Sequence, residues 1–204
     1  MGNQYSFNDI EQDLNKVQAL YNGFIDSCYK PGEGYRLTPN SEVSPYALCF
    51  AIFGKHLIGE FGSNKEDLVF FDSLLRSNLN DYKKKCTLEG KDIYVNKGYL
   101  QLLAFTLSAL SITGTLDKDP LLSHVYPIIF NKNVTNVLET SGVFIGKPGT
   151  GNLAMFYAVL LIHSKKYLAL DVDEMLDEWI EMHLDSMNSN GFWGQDNKLF
   201  YLQR

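Results

Sequence analysis

Apolar residues recur at steps of three and four through residues 8–28. Ile10, Leu14, Val17, Tyr21, Phe24 and Cys28 fall on one stripe with charges between them. That spacing predicts an amphipathic helix. Asn8 or Ser6 can cap its start, and Pro31-Gly32 ends it. A polar, glycine-rich loop follows over 32–41. Three long apolar segments come next, starting near Tyr46 (YALCFAIFGKHLIG), Tyr99 (YLQLLAFTLSALSI) and Asn152 (NLAMFYAVLLIHSK). They are too long for single strands, and they are apolar on nearly every side, which predicts helices buried all round. Small residues within them (Ala47, Ala51, Gly54, Ala104, Ser108, Ala109, Ala154, Ala158) let neighbouring helices approach closely.

A more amphipathic segment follows each apolar one. The first begins at about Lys65 with Leu68, Phe71, Leu74 and Leu75. The second begins at about Asp119 with Leu122, Val125 and Ile129. The third begins at about Asp173 with Met175, Leu176, Trp179, Ile180 and Leu184. Pro127 lies inside the second. An interior proline costs ~3 kcal/mol, so a kink is expected there, or a break with a short helix resuming at 134–138.

Tyr46, Tyr99 and Asn152 stand 53 residues apart in succession, and so do Asp67, Pro120 and Asp173. A fixed period of this length means stacked supersecondary units. Each unit is an inner buried helix, a turn and an outer half-exposed helix. The pattern predicts an all-α fold of three antiparallel inner/outer pairs plus the leading helix. Strand signals are confined to short stretches at 92–95 and 198–202. No Pro/Gly-rich linker divides the chain, so a single domain over 1–204 is expected.

Composition narrows the function classes. The 204 residues are 45% hydrophobic, enough to bury one sizeable core or two small ones. Eighteen Lys+Arg against twenty-four Asp+Glu give a net charge of -6. Nucleic acid is therefore not an expected partner. The one dense basic cluster, Lys83-Lys84-Lys85, reads as a solvated helix end. Cys28, Cys49 and Cys86 are far apart, with no CxxC and no zinc-ligand spacing. Reduced thiols, no disulfide and no metal are expected. The first twenty residues carry Asp9, Glu11, Asp13 and Lys16, so no secretory core segment is read there. The longest apolar run, 153–162, is well short of the ~18 residues of a membrane span. A cytoplasmic location is the expectation.

The last outer segment ends in Asn190-Gly191-Phe192-Trp193-Gly194. This resembles the glycine-and-tryptophan turn that follows outer helices in terpenoid cyclases and protein prenyltransferases. Gly32-Glu33-Gly34-Tyr35 is a looser version, and Ser44-Pro45-Tyr46-Ala47-Leu48 resembles the start of an inner helix in the same superfamily. The resemblance implies an α/α toroid, in which alternating inner and outer helices wind into a ring. A full ring needs about six pairs, so the resemblance implies about half a toroid, the N-terminal half of a longer one. Six-hairpin glycosidases and polysaccharide lyases share the plan.

Antiparallel pairing puts the three loops before the inner helices at one end. They offer Thr38 and Asn40 with Tyr46, then Asn96, Lys97 and Tyr99, then Lys147, Thr150 and Asn152. Helix N-termini present free N–H groups and the positive dipole end, suited to an anion or polyol. The alternative is that Ser, Thr and Asn here only cap helices. Asp171-Val172-Asp173-Glu174 resembles the DxDD acid motif of class II terpenoid cyclases. Asp171 and Asp173 are thus the catalytic candidates, against a plain reading as acidic capping of the outer helix. His56, His124, His163 and His183 read as structural. The aromatic side chains read as core, or as a cavity lining able to stabilise a carbocation.

The first expectation for function is a domain that binds a small apolar or glycan ligand at the inner-helix N-terminal end, within a terpenoid cyclase/prenyltransferase-like enzyme. A non-catalytic protein-interaction module and a carbohydrate-active hydrolase or lyase are the alternatives. No cofactor is implied. The apolar tail 199–202 and the flank around Phe156 and Leu160 are expected to meet another chain or a missing C-terminal half.

Overall fold

The structure, a computed structural model, describes residues 7–59, 65–93, 95–116, 121–131, 134–147, 150–189 and 191. The NGFWG turn apart from Gly191, the tail where a short strand was expected, Tyr94, Asp119 and Pro120 lie outside the described residues. Side chains are described from Glu11 onward within the leading helix.

The chain is mostly helical. Its elements run α1 Phe7–Cys28, β1 Tyr29–Lys30, β2 Gly34–Tyr35, α2 Pro45–Leu57, α3 Lys65–Leu88, α4 Lys97–Thr113, α5 Leu122–Asn131, α6 Val134–Ser141, α7 Gly151–Leu168 and α8 Asp173–Asp185. Two compact units divide it, Met1–Asn78 and Leu79–Arg204.

In the first unit α1 ends in a short antiparallel hairpin, where Tyr29 pairs with Tyr35 and Lys30 with Gly34. Gly32 and Gly34 both take positive φ there (76° and 113°), as a turn this tight requires. Arg36 closes the end of α1, donating to the carbonyls of Ser27 (3.0 Å) and Cys28 (3.4 Å). Leu74 of α3 packs down on Gly34, 2.8 Å from where a β-carbon would stand, and Phe71 meets the Tyr35 ring at 5.8 Å. Pro45 sits in the first turn of α2, where its missing N–H costs nothing. Helix α2 runs antiparallel to α1: Gln18 reaches the Ile58 carbonyl, Tyr21 lies on Gly54, and Asp26 pairs with Lys55.

The apolar stripe expected to seat α1 is only partly buried. Leu14, Val17 and Phe24 are exposed, as is Leu20 at 75%, while Ile25 and Cys28 are covered. The helix is rotated so that its Gln18, Tyr21, Ile25 side meets the protein.

The second unit is built around α7, which packs on α4, α5, α6 and α8. Helices α4 and α7 run side by side in the same direction. Phe105 meets Phe156 edge-on at 5.9 Å, and further along both helices the Ser111 and Tyr167 hydroxyls bond each other. Tyr99, Leu100, Leu102, Leu103, Leu107 and Leu110 of α4 are all at most 1% exposed. Truncating a leucine such as Leu103 to Ala would cost about 2–5 kcal/mol. Helix α4 stops at Gly114, in the left-handed region at φ 73°.

The last pair is antiparallel as its sequence implies. Lys165 and Asp173 pair across the turn, and Phe144, ahead of α7, meets His183 near the end of α8. The middle pair departs from the pattern. The expected break occurs, with α5 ending at Asn131 and α6 resuming at Val134. Helix α5, however, packs chiefly on α7 rather than back along α4.

Three further expectations are corrected. The stretch 92–95 is loop and turn at its described residues rather than strand. Only α4 is covered all round: α2 exposes Phe50 and Leu57, and α7 exposes Met155 and Ile162. Phe156 and Leu160, expected on an open flank, are fully buried, with Phe105 covering Phe156.

Candidate functional site

Because α4 and α7 are parallel, two of the three candidate loops share one end of the second unit. At the start of α4 the Asn96 side chain accepts from the Tyr99 N–H at 2.9 Å, so Asn96 is a true helix cap. Lys97 follows as the first helical residue and is exposed. Tyr99 is not exposed: its ring is buried and its hydroxyl points to His124. Gly98 lets the Tyr82 hydroxyl of α3 close on the helix, in the space a β-carbon would fill.

At the start of α7 the geometry differs. Thr150 makes no side-chain cap. Its hydroxyl donates to the Lys147 carbonyl at 2.6 Å, while Lys147 and Asn152 are exposed. The 91–96 loop reaches α7 nonetheless. Burial, reinforced by the nearby negative charge of Asp92, pushes the Tyr157 hydroxyl up to about 12.

Thr38, Asn40 and Tyr46 belong to the first unit. Thr38 and Ser41 close a local turn through each other's N–H, hydroxyl and carbonyl, Asn40 is exposed, and Tyr46 is half-buried in the first turn of α2.

Three polar side chains from three helices converge beside the start of α4. The Lys83 ammonium lies 2.9 Å from Nδ1 of His124, and the Tyr99 hydroxyl lies 3.2 Å from the same nitrogen. An ammonium can only donate. Nδ1 is therefore the acceptor, and the ring proton sits on Nε2. Burial, then the Lys83 charge, holds His124 below its ordinary value of 6.5. The neutral imidazole is thus the resting form at neutral pH. Lys83, read from the sequence as part of a solvated helix end, is here half-buried and engaged. No spacing rule could have paired it with a histidine 41 residues away. The result is a pair of donors, Lys83 of α3 and Tyr99 of α4, sharing one acceptor.

The acidic motif is placed differently. Asp171 and Asp173 are both exposed. Val172 caps α8, so Asp173 is its first helical residue rather than the cap, and its carboxylate binds Lys165 at 2.5 Å. That contact raises Lys165 above its usual range. A catalytic acid would need a protonated, desolvated carboxyl, and neither position offers burial.

The remaining histidines are held by their own helices. Nδ1 of His163 donates to the Val159 carbonyl at 2.7 Å, and Nδ1 of His183 donates to that of Trp179 at 2.6 Å. His183 also stacks on Trp179, with centroids 4.0 Å apart. Cys28, Cys49 and Cys86 are buried and form no disulfide. Among the described residues no three His, Cys, Asp or Glu side chains gather as a metal site, and no helix is long and apolar enough to cross a membrane.

Compared with protein-family models, with curated proteins and with solved structures, the chain finds no significant match.

Proposed function

We propose that the chain is part of an α/α-toroid-like protein and binds a small glycan at the N-terminal end of α4. The observation that carries this reading is the Lys83–His124–Tyr99 set beside the Asn96-capped helix start. An ammonium and an imidazole N–H on half-buried side chains are hydrogen-bonding partners for hydroxyl and carboxylate oxygens, with the buried Tyr99 phenol orienting the ring. They favour a glycan over the apolar ligand that the same resemblance allows. Lys97, Lys147 and Asn152, exposed at the starts of the two parallel helices α4 and α7, supply the rim. Titration calorimetry with a panel of neutral and acidic saccharides tests it. Lys83→Met should weaken binding about tenfold, the share of one hydrogen bond to a charged group. A panel that does not bind, or that binds wild type and variant alike, would refute it.

A second reading, a non-catalytic protein-interaction module, rests on α1. Leu14, Val17, Leu20 and Phe24 are all open on that helix, and amphipathic helices of this kind dock in the apolar grooves of partners. Here Leu20→Glu should abolish capture of a partner and leave saccharide binding untouched. Identical partner recovery with wild type and Leu20→Glu would remove this reading.

A further inference from the structure

We propose that the Lys83–His124–Tyr99 junction is a proton-operated latch: charging the His124 ring opens it and releases the first turn of α5 from α3 and α4. This holds whether or not the site takes a glycan.

The geometry dictates the response. Nδ1 of His124 is a single lone pair facing two donors, the Lys83 ammonium at 2.9 Å and the Tyr99 hydroxyl at 3.2 Å. A second ring proton can go only to that nitrogen. It removes the acceptor, turns it into a third donor, and sets an imidazolium against an ammonium at hydrogen-bond distance. Like charges that close repel, and half-burial limits the screening water can provide. Tyr99 has an alternative role as acceptor through its oxygen, but Lys83 has none. Lys83 must therefore swing away, and its aliphatic stem leaves solvent access where it had lain.

The groups around the ring support this. From α3 the charged neighbour is Lys83, and from α4 the titratable neighbour is Tyr99. On α5 itself Tyr126 is exposed. Helix α7, packed on α5, carries Tyr157, His163, Lys165, Lys166 and Tyr167, and among these and the other described residues Lys83 is the one whose charge bears on the ring. No described carboxylate stabilises the imidazolium, so the closed latch resists the proton and the open one accepts it. The sequence adds a reason why α5 is the part that moves. It contains Pro127, which deletes one helical hydrogen bond and leaves the first turn held mainly by its neighbours.

The linkage has a definite sign. The closed form holds the ring below its ordinary 6.5, and the open form restores that value. Above 6.5 both forms are neutral and the latch keeps its full strength. As pH falls below 6.5 the open form takes up the proton first, so opening becomes easier until the closed form titrates as well.

The test is amide hydrogen exchange by NMR from pH 7.5 to pH 5, corrected for intrinsic chemistry, with the histidine ring signals followed in the same samples. In wild type the amides of the first turn of α5 should open about tenfold more readily per pH unit while the closed ring stays neutral. His124→Asn keeps an acceptor oxygen near the place of Nδ1 but cannot titrate, so its α5 amides should show no such dependence. Lys83→Met should move the His124 ring titration upward. Equal pH dependence in wild type and His124→Asn would overturn the latch. So would a wild-type ring that titrates while α5 protection stays flat, a result that needs no variant to fold. Saccharide affinity is not read in any of these measurements, so failure of the glycan reading leaves them intact.

Discussion

The Tyr21 hydroxyl lies against Gly54, in the space where a side chain on α2 would begin. This contact joins α1 to α2, with Gln18 reaching Ile58 and Asp26 pairing with Lys55. Gly54 has ordinary helical backbone angles, so glycine is needed there for room and not for conformation. In an open helix, Gly→Ala gains about 1 kcal/mol. Here the added methyl must displace the tyrosine, and overpacking costs about 1–3 kcal/mol. Gly54→Ala should therefore destabilise the protein in urea titrations, the reverse of its propensity. Adding Tyr21→Ser should restore the propensity gain. Additive effects in that double-mutant cycle would mean that the two residues do not touch.

The same contact explains why part of the fold was legible in the sequence and part was not. Helix α1 was readable as a helix from its spacing, yet its apolar stripe does not name the buried side. The side was decided by a glycine more than thirty positions away and by Gln18 reaching Ile58, which periodicity does not encode. Likewise α2, α4 and α7 are nearly equal in apolar pattern. Pattern reports how apolar a segment is, and not how many neighbours it receives, so Phe50, Leu57, Met155 and Ile162 stay open while α4 is sealed. The β1–β2 hairpin has strands of two residues, too short for any alternation to register. In the candidate site, the Asn96 cap was legible because capping is local. The Lys83–His124 contact was not, because tertiary structure alone brings them together.

Stability should fall on mild acidification. His124 and His163 are both held below 6.5, chiefly by burial, and His163 is pushed down further by Lys166 against the opposing pull of its bond to the Val159 carbonyl. In the unfolded chain each binds its proton at the ordinary value. Below pH 6.5 the unfolded state therefore holds more protons, and the urea midpoint should decline through that range while staying level above it. His163→Gln should flatten part of the decline. An undiminished decline in a variant lacking both histidines would assign it to other groups.

Thr106 sits fully buried in α4 with no partner for its hydroxyl. Ser164, equally buried on α7, donates to the Leu160 carbonyl at 2.8 Å. A lone buried hydroxyl costs free energy that a methyl of the same shape does not. Thr106→Val should raise stability by about 1 kcal/mol, whereas Ser164→Ala should lower it. Calorimetric melting of both variants decides the matter, and a destabilised Thr106→Val would point to a partner for that hydroxyl.

The acidic turn should be tolerant. Asp173 and Lys165 are exposed partners, and such pairs are screened by water and salt. Asp173→Asn should leave the melting temperature unchanged within error and spare any turnover the protein shows. Loss of turnover at an unchanged melting temperature would restore the carboxylate as an acid catalyst.

Two residues that read alike as helix caps should respond differently. Asn96 accepts the Tyr99 N–H at 2.9 Å, satisfying one of the four open donors at the start of α4. Thr150 turns its hydroxyl to the Lys147 carbonyl and leaves the α7 donors unserved by its side chain. Asn96→Ala should cost about 0.5–2 kcal/mol, the usual range for a lost cap. Thr150→Ala should cost less, because it removes one loop hydrogen bond and no cap. The two starts lie at the same end of parallel helices, so the comparison sets a capping side chain against a non-capping one. Asn96→Ala should also loosen the backbone that places Tyr99 against His124, and the His124 ring should then titrate closer to 6.5 than in wild type. Thr150→Ala should leave that ring unmoved. Equal stability losses in the two variants, with the His124 titration unchanged in both, would show that Asn96 neither caps α4 nor positions Tyr99.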